Sequence, residues 1–104
     1  MMSSYVPLTS IETVLPGSAK AFSVKGREIL LANLDGKFFA IEDRCSHEDS
    51  RLSLGCLKGN LISCTLHGSR FCVKTGIPEE EPAVDAVKTF KLRINHKLIE
   101  VELT

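Results

Sequence analysis

The sequence predicts an all-β, antiparallel domain built from hairpins, and three observations carry that reading. Phe90, Leu92 and Ile94 alternate with Lys91 and Arg93, and Ile99, Val101 and Leu103 alternate with Glu100 and Glu102. Period-two alternation of this kind turns one face of a strand to a core and the other to water. Lys25-Gly26 and Asp35-Gly36 stand between apolar runs, and Asp-Gly in that setting is a strong hairpin signal. No stretch sustains a 3.6-residue repeat, and no internal repeat is visible.

In chain order, residues 5–8 form the first expected strand. Ser10-Ile11-Glu12-Thr13 follows, where Ser10 can cap a single helical turn before Pro16-Gly17 ends it. Residues 19–24, 27–33 and 37–42 are the next three strands. The run Ile29-Leu30-Leu31-Ala32 lies between two turn signals and is too short for a helix, so it is expected to be a buried strand. Asn95-His96 is the expected turn of the closing hairpin, which makes His96 a turn residue and not a ligand. Between 43 and 76 the texture changes to short apolar pieces such as Leu61-Ile62, with Gly55, Gly59, Gly68 and Gly76 marking bends.

Composition sets the outer bounds. A chain of 104 residues has room for one domain and a modest core. Thirteen basic and thirteen acidic residues cancel without a basic stripe, which argues against a nucleic-acid partner. No apolar run approaches the roughly 20 residues needed to span a bilayer, and Met1-Met2-Ser3-Ser4 does not open a secretory leader. A cytoplasmic protein is the expectation. In that setting the four cysteines are not expected in disulfides.

The chemistry is concentrated in one stretch. Cys45-Ser46-His47 is followed after sixteen residues by Cys64-Thr65-Leu66-His67, so each half offers one thiolate and one imidazole. Such a set could hold one zinc, but zinc spacings usually pair cysteine with cysteine and histidine with histidine. Mixed halves suit a two-iron cluster whose cysteines hold one iron and whose histidines hold the other.

These two runs, with Leu52-Ser53-Leu54-Gly55 and with Gly68-Ser69-Arg70-Phe71-Cys72-Val73-Lys74-Thr75-Gly76, resemble a Rieske-type ferredoxin. The likeness is greatest to the small ferredoxins of bacterial aromatic-ring dioxygenases of the biphenyl and toluene type. It implies a Rieske fold: an antiparallel β-sandwich base of residues 1–42 and 77–104, with an inserted cluster-binding subdomain of residues 43–76, all one domain. It implies one [2Fe-2S] cluster per chain, with Cys45 and Cys64 on the inner iron and His47 and His67 on the outer. It further implies a monomeric one-electron carrier between an NADH-dependent flavin reductase and a terminal oxygenase, docking transiently at the cluster tip.

The resemblance also bears on the potential. Rieske centres span about −150 to +300 mV, against about −400 mV for plant-type four-cysteine centres, because neutral imidazoles leave the oxidised site less negative. High-potential members carry an extra cysteine in each ligand loop, paired as a disulfide, where this chain has Ser50 and Leu66. They also carry a tyrosine where this chain has Phe71. Ser69 keeps a hydroxyl that can donate to a bridging sulfide. A potential near the low end is therefore expected, with Leu66 both covering the cluster and offering its exposed edge to the partner.

Other readings compete. A Rieske-like small subunit of an assimilatory nitrite reductase, acting as an assembly module, is one alternative, and a zinc-stabilised binding domain is another. An oxygenase is excluded, because its mononuclear iron needs two further histidines and a carboxylate, and only His96 remains. No glycine-rich dinucleotide fingerprint follows a strand, so direct oxidation of NADH is not expected. Cys56 and Cys72 are expected to be small buried hydrophobes. Residues 79–81, all glutamate, are expected to be a solvated loop, whereas Glu48, Asp49 and Arg51 flank a ligand loop and can serve docking or solubility.

Overall fold

Two tight hairpins build the centre of the molecule. In the computed structural model, which describes residues 4–46, 50–64, 69–79 and 85–103, Lys25-Gly26 and Asp35-Gly36 all have positive φ, between +49° and +94°. A two-residue turn with both residues left-handed matches the natural twist of the flanking strands. The strands are β1 (Ser4–Ser10), β2 (Ser18–Val24), β3 (Arg27–Leu34), β4 (Lys37–Glu42) and β5 (Leu57–Lys58). They continue with β6 (Leu61–Ser63), β7 (Arg70–Cys72), β8 (Thr89–Phe90), β9 (Leu92–Asn95) and β10 (Leu98–Leu103). A 3₁₀ turn at Leu52–Leu54 is the helical element among the described residues.

Three antiparallel sheets result, ordered β1-β10-β9, β2-β3-β4-β8 and β5-β6-β7. Strand β3 explains how they stack. Ile29, Leu30, Leu31 and Ala32 are all fully buried, yet successive side chains of a strand point to opposite faces. Ile29 and Leu31 join Val6, Ile99 and Val101 in one core, whereas Leu30 and Ala32 join Ile62, Phe71, Cys45 and Cys64 in another. The β2-β3-β4-β8 sheet is therefore the middle layer, with a sandwich partner on one face and the β5-β6-β7 sheet on the other. Pro7, which lacks an N–H, is tolerated because β1 is an edge strand, and the pairing shifts register between Pro7 and Thr9.

Several expectations need correction. The single strand expected across Phe90, Leu92 and Ile94 is two strands in two sheets: Phe90 pairs with Ala40, and Leu92 with Val101. Both side chains still pack into the same core, so the alternation survives while the hydrogen-bonding partner changes. Ile94 is more than half exposed because it lies past the core, next to the hairpin turn. That turn is His96-Lys97, with His96 at φ +60°, one residue later than expected. Glu100, expected in water, is nearly buried beneath Arg93, whose Nε donates to its carboxylate at 2.5 Å. The region after Ser10 forms a hydrogen-bonded turn, with Thr13 N donating to the Ser10 carbonyl and Glu12 N to the Ser10 hydroxyl at 3.2 Å, so Ser10 caps the turn as expected but no helical turn is wound. Val14, fully buried just beyond it, draws the chain into the core before a helix can wind.

Candidate metal centre

Cys45 follows β4 and Cys64 follows β6, each leaving its sheet at the face shared with the second core. Both are buried to the same degree, 3% exposed, in one cluster with Leu30, Ile41, Leu52 and Phe71. None of the cysteines is in a disulfide. The two loops that begin at these cysteines are closed in the same way. Cys45 N donates to the Ser50 carbonyl at 2.9 Å, and Cys64 N donates to the Ser69 carbonyl at 2.6 Å. Each loop thus spans six residues and is pinned at its foot by a bond from the cysteine amide to the fifth residue on. A buried thiol at each foot, with a histidine two or three residues farther along, is a donor set suited to two sulfurs inside and two nitrogens farther out.

The remaining expected site residues divide by what the structure describes. His47 and His67 lie outside the described residues, as do Leu66, Glu48 and Asp49. Ser69 and Phe71 are fully buried, Ser69 at the foot of the second loop and Phe71 in β7 opposite Ile62. Arg51 forms an ion pair with Glu28 at 3.4 Å, both half-exposed, a geometry that contributes little to stability. Glu79 is exposed and its amide bonds the Arg70 carbonyl, while Glu80 and Glu81 lie outside the described residues. Cys72 is buried as expected, but Cys56 is exposed. Its correction follows from the pleat: Leu57 turns inward to pair with Ile62, so Cys56 and Lys58 face outward with Ser63 and Arg70.

Three hydrogen-bonding arrangements and one close backbone approach in the surroundings were not foreseen from the sequence. Asp43, 1% exposed, accepts from the Ser53 amide at 2.7 Å and from the Ser53 hydroxyl at 2.6 Å. Its own amide donates to the Glu28 carbonyl of β3 at 3.0 Å. Ser46 Oγ donates to the Asp85 carbonyl at 2.5 Å, tying the first loop to a segment far along the chain. Gly55 sits where a side chain cannot: a Cβ there would lie 1.7 Å from the Ser63 carbonyl oxygen. Asp43 stands between Glu42 and Arg44, so the sequence does not mark it out as the buried member of a charged run. The other contacts link distant segments and leave no local trace.

Comparison with known proteins agrees with this geometry. Residues 4–91 match the model of the Rieske [2Fe-2S] domain. The chain is 32% identical to the biphenyl dioxygenase ferredoxin subunit of Pseudomonas sp. (strain KKS102), over 97% of this chain and 94% of that one. Among solved structures it is similar to the ferredoxin of carbazole 1,9a-dioxygenase from Nocardioides aromaticivorans IC177. There the TM-score is 0.90 at 30% identity, covering 94% of this chain and 96% of the other. A chain in the complex of reduced oxygenase and oxidised ferredoxin in carbazole 1,9a-dioxygenase gives a TM-score of 0.88 at 26% identity, covering 93% and 91%.

Proposed function

Because the chain belongs to the Rieske [2Fe-2S] domain family, we propose that it is the ferredoxin component of an aromatic-ring dioxygenase system. It binds one [2Fe-2S] cluster and carries single electrons from an NADH-dependent flavin reductase to a terminal oxygenase. The observation that carries this reading is the pair of matched loops, each with a buried cysteine at its pinned foot. Cys45 and Cys64 hold the inner iron in this proposal, and His47 and His67 hold the outer. The cluster, when bound, supplies reversible one-electron chemistry at a potential that ligand type and hydrogen bonding set.

The chain's own residues do the rest. Leu30, Ile41, Leu52, Ile62 and Phe71 keep water from the cysteine side of the site. The backbone bonds at Ser50 and Ser69 fix the loop feet, so little reorganises when the charge changes. The base of residues 1–42 and 77–104 and the cluster-binding subdomain of residues 43–76 belong to the same proposal, supported by the separate β5-β6-β7 sheet. So do a monomeric state and a cytoplasmic location. Among the described residues no helix is long and apolar enough to cross a membrane.

The test is reconstitution. The purified protein, combined with a flavin reductase and an oxygenase of a biphenyl-type system, should make NADH oxidation and product formation depend on its concentration. His47→Ala and His67→Ala should abolish that dependence along with the cluster's visible absorption, whereas His96→Ala should leave both intact. Turnover that proceeds at full rate without the protein, or a protein that holds one zinc and no sulfide after anaerobic preparation, contradicts the proposal.

A further inference from the structure

We propose that Asp43 is a positioning residue that holds the first ligand loop by taking the place of a missing sheet pairing. The inference rests on the reading of Cys45 and His47 as cluster ligands, and it comes from comparing how the two loops are closed. The second loop is closed twice. Its inner closure is the Cys64 amide on the Ser69 carbonyl, and its outer closure is the pairing of Ser63 with Arg70 between β6 and β7. The first loop has the same inner closure, the Cys45 amide on the Ser50 carbonyl. It does not lie between paired strands: β4 ends at Glu42, and the chain after the loop enters the 3₁₀ turn at Leu52–Leu54.

At the position where a second closure is needed, the Asp43 carboxylate spans the loop. One oxygen accepts the Ser53 amide and the other accepts the Ser53 hydroxyl, across ten residues of chain. The Asp43 amide is bonded to Glu28 of β3, so this closure is anchored to the middle sheet. Leu52, fully buried beside Cys45 in the same core, is held in place by the same bracket. A carboxylate with two acceptor oxygens can bridge an amide and a hydroxyl at once, which a backbone carbonyl does less well. Burial at 1% exposure keeps water from competing for those oxygens.

The experiment uses the cluster-loaded protein and two readouts: the g values of the reduced protein's paramagnetic signal, and the half-time of cluster loss under an iron chelator. Asp43→Ala and Ser53→Ala should each shift or broaden the g values and shorten the half-time about tenfold. The double variant should be no worse than the worse single one, as expected for two ends of one contact. Asp43→Asn keeps an acceptor for the Ser53 amide and should restore the half-time to within about twofold of wild type. Asn33→Ala serves as the control. It removes a buried pair of hydrogen bonds, to Val14 and from Gly36, at the opposite end of β3, and should leave the g values unchanged. Unchanged signals and half-times in both Asp43→Ala and Ser53→Ala overturn the positioning role. Equal changes in Asn33→Ala overturn it as well, since the effect is then loss of general stability. A wild-type protein without a [2Fe-2S] signal contradicts the proposed function instead, and is read separately.

Discussion

At the scale of single residues, the side chains next to the cysteines decide what potential the site can reach. Ser69 is fully buried at the foot of the second loop, and Phe71 is fully buried two residues on, in the core that holds both cysteines. A hydroxyl that donates to a cluster sulfur stabilises the more negative, reduced state and so raises the potential. Ser69→Ala is therefore expected to lower the midpoint potential, and Phe71→Tyr to raise it where the new hydroxyl reaches a sulfur. In a site with no accessible water, a phenol that finds no partner costs about 1–3 kcal/mol of stability. Voltammetry and thermal melting of the two variants read both effects. A Phe71→Tyr variant that melts lower at an unchanged potential shows that the ring points its edge away from the cluster.

At the scale of elements, Gly55 shows how the packing constrains the second loop from a distance. A methyl group there would meet the Ser63 carbonyl oxygen at 1.7 Å and its carbon at 2.9 Å, both backbone atoms that cannot swing aside. Ser63 immediately precedes Cys64, so any relief displaces the foot of the second loop. Gly55→Ala is expected to cost at least about 1–3 kcal/mol, the usual range for overpacking. For a domain of this size that is a fall in Tm of roughly 4–8 °C per kcal/mol. Gly59→Ala is the comparison, since nothing lies within 4 Å of a Cβ there and only its φ of +60° is unfavourable. Equal melting of Gly55→Ala and wild type would show that the approach of Gly55 to β6 is not a constraint.

The same scale shows what the sequence made legible. Strands β2, β3 and β4 were readable because Lys25-Gly26 and Asp35-Gly36 bound them, and turn chemistry is local. The break at Lys91 was not readable: Phe90 and Leu92 keep the period-two pattern across it, and only their partners, Ala40 and Val101, reveal two sheets. Cys56 was misjudged because a cysteine's typical burial says nothing about which side of a pleat it occupies. The cysteine spacing was legible as two loops, whose feet the structure buries in one core, whereas the Asp43–Ser53 bracket depends on a loop shape that spacing does not encode.

At the scale of the whole molecule, three layers place both loop feet on one side of the middle sheet, away from the β1-β10-β9 layer. In the proposed function the partner meets the tip formed by residues 46–50 and 66–68, with Ser69, fully buried at the loop foot, excluded from the expected contact. Transient electron-transfer contacts bury less than about 1,200 Å² in total, so a few residues there should dominate the rate. Glu48→Gln and Leu66→Ala are each expected to slow electron transfer to the oxygenase at an unchanged midpoint potential, measured by stopped-flow mixing. Full rates in both, with a loss on neutralising Glu79, Glu80 and Glu81, would move the docking surface off the tip.

The proposal as a whole stands on a cluster held by two cysteines and two histidines, without the loop disulfide and the tyrosine hydroxyl that raise the potential in high-potential members. A potentiometric titration of the purified protein, followed by its paramagnetic signal, examines that directly. The expected result is a rhombic signal from one spin per chain, appearing in a one-electron step with a midpoint nearer −150 mV than +300 mV, the approximate ends of the Rieske range. A midpoint near −400 mV, as in four-cysteine centres, or no signal at any potential, would contradict it.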